Sequence, residues 1–223
     1  MIASGPAAKR PPHIALERVW VLASVWSFVI GWPPSEGNMI LRSLVLYIAL
    51  GLCANAAHAA DIATLEAMRE GSMKKLVLHA EPRALPDAVL LDETDAERSL
   101  DEYRGRWVVL NFWGTWCPPC LAEMPTLDSL AATMGSDRFA VVTVATGRNP
   151  PRAIDRFFDD KQIAHLPKWR DRSSGLARGM GIMALPVTVI LDPEGREIGR
   201  LMGEADWNSP GAKALLGRLI EGS

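Results

Sequence analysis

The stretch Trp107-Val108-Val109-Leu110-Asn111-Phe112-Trp113-Gly114-Thr115-Trp116-Cys117-Pro118-Pro119-Cys120 decides how the rest of the chain is read. Its first seven residues are apolar or β-branched apart from Asn111, and a run of that kind ending at Trp113-Gly114 reads as a buried strand. Helix-compatible residues follow Cys120, first Leu121-Ala122-Glu123-Met124 and then Leu127 to Ala132. The two cysteines therefore lie where a strand turns into a helix. A helix N-terminus offers unpaired N–H groups and partial positive charge, which stabilise a thiolate at Cys117. Cys120, one helical turn further on, can close a disulfide with Cys117 and reopen it.

Two nearby cysteines also suggest half a zinc site or a structural bridge. Zinc needs about four ligands. The third cysteine, Cys53, lies in an export-signal pattern, and His13, His58, His79 and His165 form no paired spacing. A bridge closing so short a loop removes little chain entropy. A C-x-x-C directly after a strand is the thioredoxin-like redox signal. The reading is a redox-active dithiol, Cys117 with Cys120, working without a metal or other cofactor.

Asn111-Phe112-Trp113-Gly114-Thr115-Trp116-Cys117-Pro118-Pro119-Cys120-Leu121-Ala122-Glu123-Met124-Pro125 resembles the active-site segment of TlpA-type disulfide reductases, membrane-attached or periplasmic thioredoxin-like proteins of bacteria. A second segment, Gly181 to Gly195, resembles the family's cis-proline loop and the strand after it, and the similarity runs from about Leu85 to the C-terminus. The resemblance implies an α/β thioredoxin-like fold: a central mixed β-sheet flanked by helices, with an added N-terminal hairpin that plain thioredoxin lacks. It implies that Cys117 attacks with an exposed sulfur and that the more buried Cys120 resolves the mixed disulfide. Pro186 takes the place of the cis-proline that faces the C-x-x-C, and Leu185 before it is expected to touch substrate. From the residues alone, a trans bond at Pro186 is the default.

Glu123 matches the family's C-x-x-C-x-x-E, where a carboxyl near the disulfide assists proton transfer to Cys120. Read without the family, it is a first-turn acid that favours the helix dipole. Plain thioredoxin has a buried aspartate where this chain has Asn111. An amide cannot take a proton, so Glu123 is the remaining base. Pro118 and Pro119 both lack an N–H and withhold two donors from the Cys117 thiolate. A less stabilised thiolate makes the pair a better reductant. Pro118 also suits the first position of a helix. Trp116 is expected on the contact surface, beside Pro118 and Pro119, and Trp113 in the core.

Two rival chemistries fit the sequence poorly. Copper chaperones of the Sco type, on a similar fold, use C-x-x-x-C with a distal histidine; the spacing here is one residue short, and His165 reads as a surface residue. A peroxiredoxin would place its cysteine in Pro-x-x-x-Thr-x-x-Cys, which Thr115-Trp116-Cys117 does not follow. A docking module without catalysis is the third alternative.

The net charge of −2 argues against a nucleic-acid partner, because phosphate binding needs a basic surface. Residues 1–38 hold an apolar run from Val19 to Trp32, and read either as sequence upstream of a true start at Met39 or as an anchor. Residues 39–59 form a signal peptide, with Arg42, the apolar core Ser43–Leu52 and the small-x-small site Ala57-His58-Ala59; uncleaved, they would anchor the chain. Residues 60–84 read as a short helix and linker, and 85–223 as the thioredoxin-like domain. The expected location is periplasmic, secreted or held on the inner membrane by the N-terminus. The expected partners are cysteine-containing periplasmic proteins and a transmembrane thiol electron donor.

Overall fold

A computed structural model describes residues 62–222. The leader segments expected at 1–38 and 39–59 lie outside them. In chain order the elements are a short helix α1 (62–67) and a 3-10 turn, Gly71–Lys75. Strands β1 (Leu76–Arg83), β2 (Leu90–Leu91) and β3 (Glu97–Arg98) follow, then a second 3-10 turn, Leu100–Tyr103. Next come β4 (Trp107–Trp113), α2 (Pro118–Met134), β5 (Phe139–Thr146) and α3 (Pro151–Lys161). The chain ends with β6 (Trp169–Asp171), α4 (Gly175–Gly179), β7 (Val187–Leu191), β8 (Glu197–Met202) and α5 (Pro210–Glu221).

All eight strands form one mixed sheet in the order β1-β8-β7-β4-β5-β6-β2-β3. β4 sits in the middle, parallel to β5 and antiparallel to β7, and Val108 to Trp113 are all buried. Burial on both faces explains why its sequence is a continuous apolar run rather than an alternation. Side chains still alternate between faces. Val109 and Trp113 join one core with Leu127 and Leu130 of α2, Ile154 and Phe158 of α3, and Leu215, Leu216 and Leu219 of α5. Val108, Leu110 and Phe112 join the other core with Leu176 and Ala177 of α4 and Leu90 of β2. This is the thioredoxin-like α/β architecture that the resemblance implies.

Helix α2 presents Cys120, Glu123, Met124, Leu127 and Leu130 to the interior, a stripe at three- and four-residue spacing. Helix α5 begins as its sequence predicts: Ser209 accepts the Ala212 N–H at 3.3 Å, and Pro210 occupies the first position.

One sequence expectation needs correction. The segment before Leu85 is not merely helix and linker, because β1 adds an edge strand whose Leu76 is fully buried opposite Leu201 of β8. Pro82 lies within the run, and an edge position tolerates a residue that cannot donate to the ladder. A buried ion cluster also fastens this edge. Glu197 accepts from Arg200 at 2.6 and 2.7 Å and lies 2.6 Å from His79 of β1. Burial raises the Glu197 pKa, but the hydrogen bonds from Arg200 and His79 outweigh it and hold the carboxyl below its ordinary value.

Candidate active site

The site is built where β4 ends. The chain turns through Gly114, whose missing side chain leaves room for the Trp116 indole; a Cβ there would lie 2.9 Å from the ring. Asn149, buried just after β5, accepts from the Thr115 N–H at 2.7 Å and the Thr115 hydroxyl at 3.0 Å, which pins the turn. Its own amide donates to the Thr146 carbonyl at 2.8 Å. Cys117 then caps α2, and Cys117 and Cys120 are joined as a disulfide with their Cα atoms 5.3 Å apart. With prolines at 118 and 119, the N–H that reaches Cys117 Sγ is that of Cys120, at 3.3 Å.

Exposure differs from expectation at Cys117. The residue is only 4% exposed, against 62% for Trp116, and Cys120 is wholly buried. An N-cap side chain folds back over the first turn to accept an N–H, and that conformation draws the sulfur inward. Trp113 is buried as predicted, against Phe157 and Phe158. Pro118 is exposed and Pro119 half-buried.

Glu123 is not the first-turn acid that the dipole reading required. It is the sixth residue of α2, in the second turn, and 2% exposed. Its Oε1 accepts from Asn111 Nδ2 at 2.7 Å and its Oε2 from the Ala205 N–H at 3.1 Å. Burial raises its pKa to about 7, and the Asn111 and Ala205 hydrogen bonds offset only part of the rise. The Trp207 indole lowers it slightly without a hydrogen bond of regular geometry. A carboxyl at that value carries or releases a proton readily near neutrality.

Beneath Glu123 lies a polar row that sequence reasoning missed. In strand register Asn111 of β4 sits between Thr188 of β7 and Thr143 of β5, all three fully buried. Asn111 Nδ2 donates to Thr188 Oγ1 at 2.9 Å as well as to Glu123. Its Oδ1 has no partner. The signal was present as one polar residue inside each of three apolar runs, but only the register aligns them.

The Leu185–Pro186 bond is cis, as the resemblance implied. The loop is tied down by the Gly203 N–H, which donates to the Pro186 carbonyl at 2.9 Å. Val187 pairs with Phe112, so the loop stands at the end of the sheet where the C-x-x-C turn leaves β4. Pro186 is buried, and Leu185 is half-buried against both cores, which makes it a packing residue more than a free contact. In this loop Met183 is 91% exposed, and Met202 at the end of β8 is 66% exposed. Neither was singled out from sequence, because a lone methionine carries no pattern.

His165 stands on the surface, its Nδ1 3.2 Å from Asp128 Oδ2. Among the described residues no three histidine, cysteine or acidic side chains are grouped to hold a metal ion. No described helix is long and apolar enough to cross a membrane.

Residues 83–196 match the AhpC/TSA family. The thiol-disulfide oxidoreductase ResA of Geobacillus thermodenitrificans is 28% identical over 161 residues, 72% of this chain and 85% of the relative. The thioredoxin-like protein YneN of Bacillus subtilis is 35% identical over 123 residues, 55% of this chain and 71% of the relative. Among solved structures, the exposed lipoprotein thioredoxin Etrx1 of Streptococcus pneumoniae is 27% identical, with a TM-score of 0.51 covering 61% of this chain and 99% of that one. A DsbF homologue from Corynebacterium diphtheriae shares the fold with a TM-score of 0.54 at 23% identity, covering 66% of this chain and 92% of that one. With a cysteine pair at the head of α2 and relatives named for this exchange, the chain belongs to the AhpC/TSA family, among its thioredoxin-like thiol–disulfide oxidoreductases.

Proposed function

We propose that the protein works outside the cytoplasm as a reductant of protein disulfides, with Cys117 as nucleophile, Cys120 as resolving cysteine and Glu123 as proton acceptor. The observation that carries the assignment of Glu123 is its buried carboxyl, three residues beyond Cys120 on the same inward stripe of α2 and with a pKa near 7. In the reduced protein the Cys117 thiolate attacks a substrate disulfide, and one substrate sulfur leaves as a thiolate. Cys120 then gives its proton to Glu123 as its sulfur attacks Cys117 Sγ. The second substrate sulfur departs, two electrons have passed to the substrate, and the Cys117–Cys120 disulfide is formed. A thiol donor, on this reading a transmembrane one, returns the pair to the dithiol.

Trp116, Pro118, Pro119 and Met183 form the contact surface, with Leu185 and the buried cis-proline Pro186 shaping the loop behind them. The cysteines of apo-cytochrome c or of a copper oxidase are the substrates that the resemblance favours. Support for export comes from the 39–59 signal pattern, with cleavage after Ala59 leaving a mature N-terminus at Ala60. The test is reduction of insulin by the dithiol-reduced protein, together with partner trapping by Cys120→Ser. Turnover that Cys117→Ser abolishes, with mixed disulfides accumulating in Cys120→Ser on exported cysteine proteins, supports the reading. A Cys117→Ser protein that still reduces insulin would sink it.

A further inference from the structure

Glu123 is buried, yet it forms part of the wall of a cleft of about 350 Å³. Ser72 and Lys75 contribute from the first 3-10 turn, Ala122 from α2, and Glu204 and Asp206 from the connection between β8 and α5. Lys75, Ala122, Glu204 and Asp206 are exposed, so the cleft opens to water. Trp116, Cys117, Cys120, Met183, Leu185 and Pro186 are all absent from its walls. The site thus has two approaches: the face carrying Trp116 and the cis-proline loop, and a separate cleft with Glu123 in its wall.

We propose that this cleft is the port through which Glu123 exchanges its proton with solvent, and that Glu204 on its wall is a positioning residue that tunes the exchange. The inference rests on the proton-acceptor role proposed above for Glu123. A protein substrate seated on Trp116 covers the disulfide, and a carboxyl that reached water only across that face would be sealed with its proton. A port on another wall keeps Glu123 in equilibrium with solvent throughout the exchange.

The charges around the carboxyl favour this arrangement. From β4 it meets neutral Asn111, whose amide also donates to Thr188 of β7, and from the α5 side Trp207. The charged groups face it through the cleft: Glu204 and Asp206 from one wall and Lys75 from the other. Lys75 Nζ is held by the Glu204 main-chain carbonyl at 3.0 Å, which leaves the Glu204 carboxylate to act on Glu123. Its like charge favours the protonated form of Glu123. On α2 itself, the Cys120 thiol of the reduced state lies three residues before Glu123 on the same inward stripe.

The test follows resolution in one turnover. The reduced protein attacks dithiobis-nitrobenzoate through Cys117 and releases one thionitrobenzoate. Cys120 then displaces the second, and stopped-flow absorbance across pH reads that second release. The rate of the wild-type protein should rise as Glu123 ionises. Glu204→Gln, which removes a screened like charge, should move the midpoint down by about half a pH unit. Ala122→Phe, which covers the cleft mouth and dries the carboxyl further, should move it up by a similar amount. Both variants should keep the plateau rate within about twofold, as expected of residues that do not touch the sulfurs. If Glu123→Gln removes the inflection while Glu204→Gln and Ala122→Phe leave it in place, the port is refuted and the role of Glu123 stands. If Glu123→Gln leaves the profile unchanged, the proton-acceptor role fails and the port falls with it.

Discussion

Glu123→Gln should make the oxidised protein more stable above neutrality and change little in acid. The sign follows from linkage. An ordinary glutamate has a pKa of 4.5, and the buried Glu123 about 7. Between those values the folded state holds a proton that the unfolded chain has released, so wild-type stability falls as pH rises through the interval. At about 1.4 kcal/mol per pH unit the accumulated loss is about 3 kcal/mol, complete by about pH 8 and absent below about pH 4. Glutamine has no proton to lose, and the loss disappears with it. The replacement also fits the site. Its carbonyl can accept from the Ala205 N–H, and its amide can donate to Asn111 Oδ1, which has no partner in the native structure. That requires the Asn111 amide to turn over, and the Thr188 hydroxyl, both donor and acceptor, suits either orientation. Urea unfolding of both proteins at a series of pH values reads the difference, with every other titrating group cancelling between them. The stability advantage of Glu123→Gln should grow by about 3 kcal/mol from about pH 4.5 to about pH 8. A difference that stays flat to within about 0.5 kcal/mol would show that Glu123 is solvated in the folded protein, and would remove the physical basis of its proposed role.

Three further outcomes are expected. The native pair should have a potential nearer about −270 mV than about −120 mV, and Pro119→His, which restores an N–H beside the thiolate, should make it more oxidising; equilibration with glutathione decides, and no change on substitution would show that the missing donors do not set the potential. Glu197→Gln should destabilise the protein by about 2–4 kcal/mol at neutral pH, because Arg200 and His79 lose their carboxylate. The native Glu197 carboxyl is held below its ordinary pKa, so its contribution is present above about pH 4.5 and fades as pH falls further, and thermal unfolding at pH 7 and pH 4 should show the mutant's deficit shrinking in acid. Met183→Ser and Trp116→Ser change exposed side chains and should leave stability within about 0.5 kcal/mol, while slowing reduction of insulin more than reduction of dithiobis-nitrobenzoate; equal slowing on both would place these residues outside the contact surface.

Much of the site was legible because its chemistry is local. Cys117 and Cys120 sit at a strand-to-helix junction that the apolar run and the helix-compatible residues after it predict, and α2 begins at Pro118 as read. What could not be read depends on register and on packing. Glu123 looked like a helix-dipole acid because its neighbours in sequence give no hint that the Ala205 N–H, 82 residues away, closes over it. The polar row of Thr143, Asn111 and Thr188 exists only once three strands are aligned. β1 was hidden by its edge position, where a single buried residue, Leu76, seats the strand and leaves no buried–exposed alternation to read. Met183 is visible only as exposure, a property that sequence does not encode one residue at a time.

The amide at position 111 makes the rest of the site coherent. Asn111 Nδ2 stands 2.7 Å from Glu123 Oε1. Were residue 111 an acid, two carboxyls at that distance in a buried site would share one proton, and the pair would titrate in two widely separated steps. One step would fall too low to accept the Cys120 proton with any driving force, and the other would stay protonated well above neutrality. An amide avoids the coupling: it donates to the carboxylate, cannot itself be charged, and leaves a single proton acceptor on α2. Asn111→Asp should therefore split the single inflection of the resolution rate into two, one below and one above the native midpoint. A profile with one unshifted inflection would mean that residue 111 and Glu123 do not interact in the working state, and that the 2.7 Å hydrogen bond has no part in the chemistry.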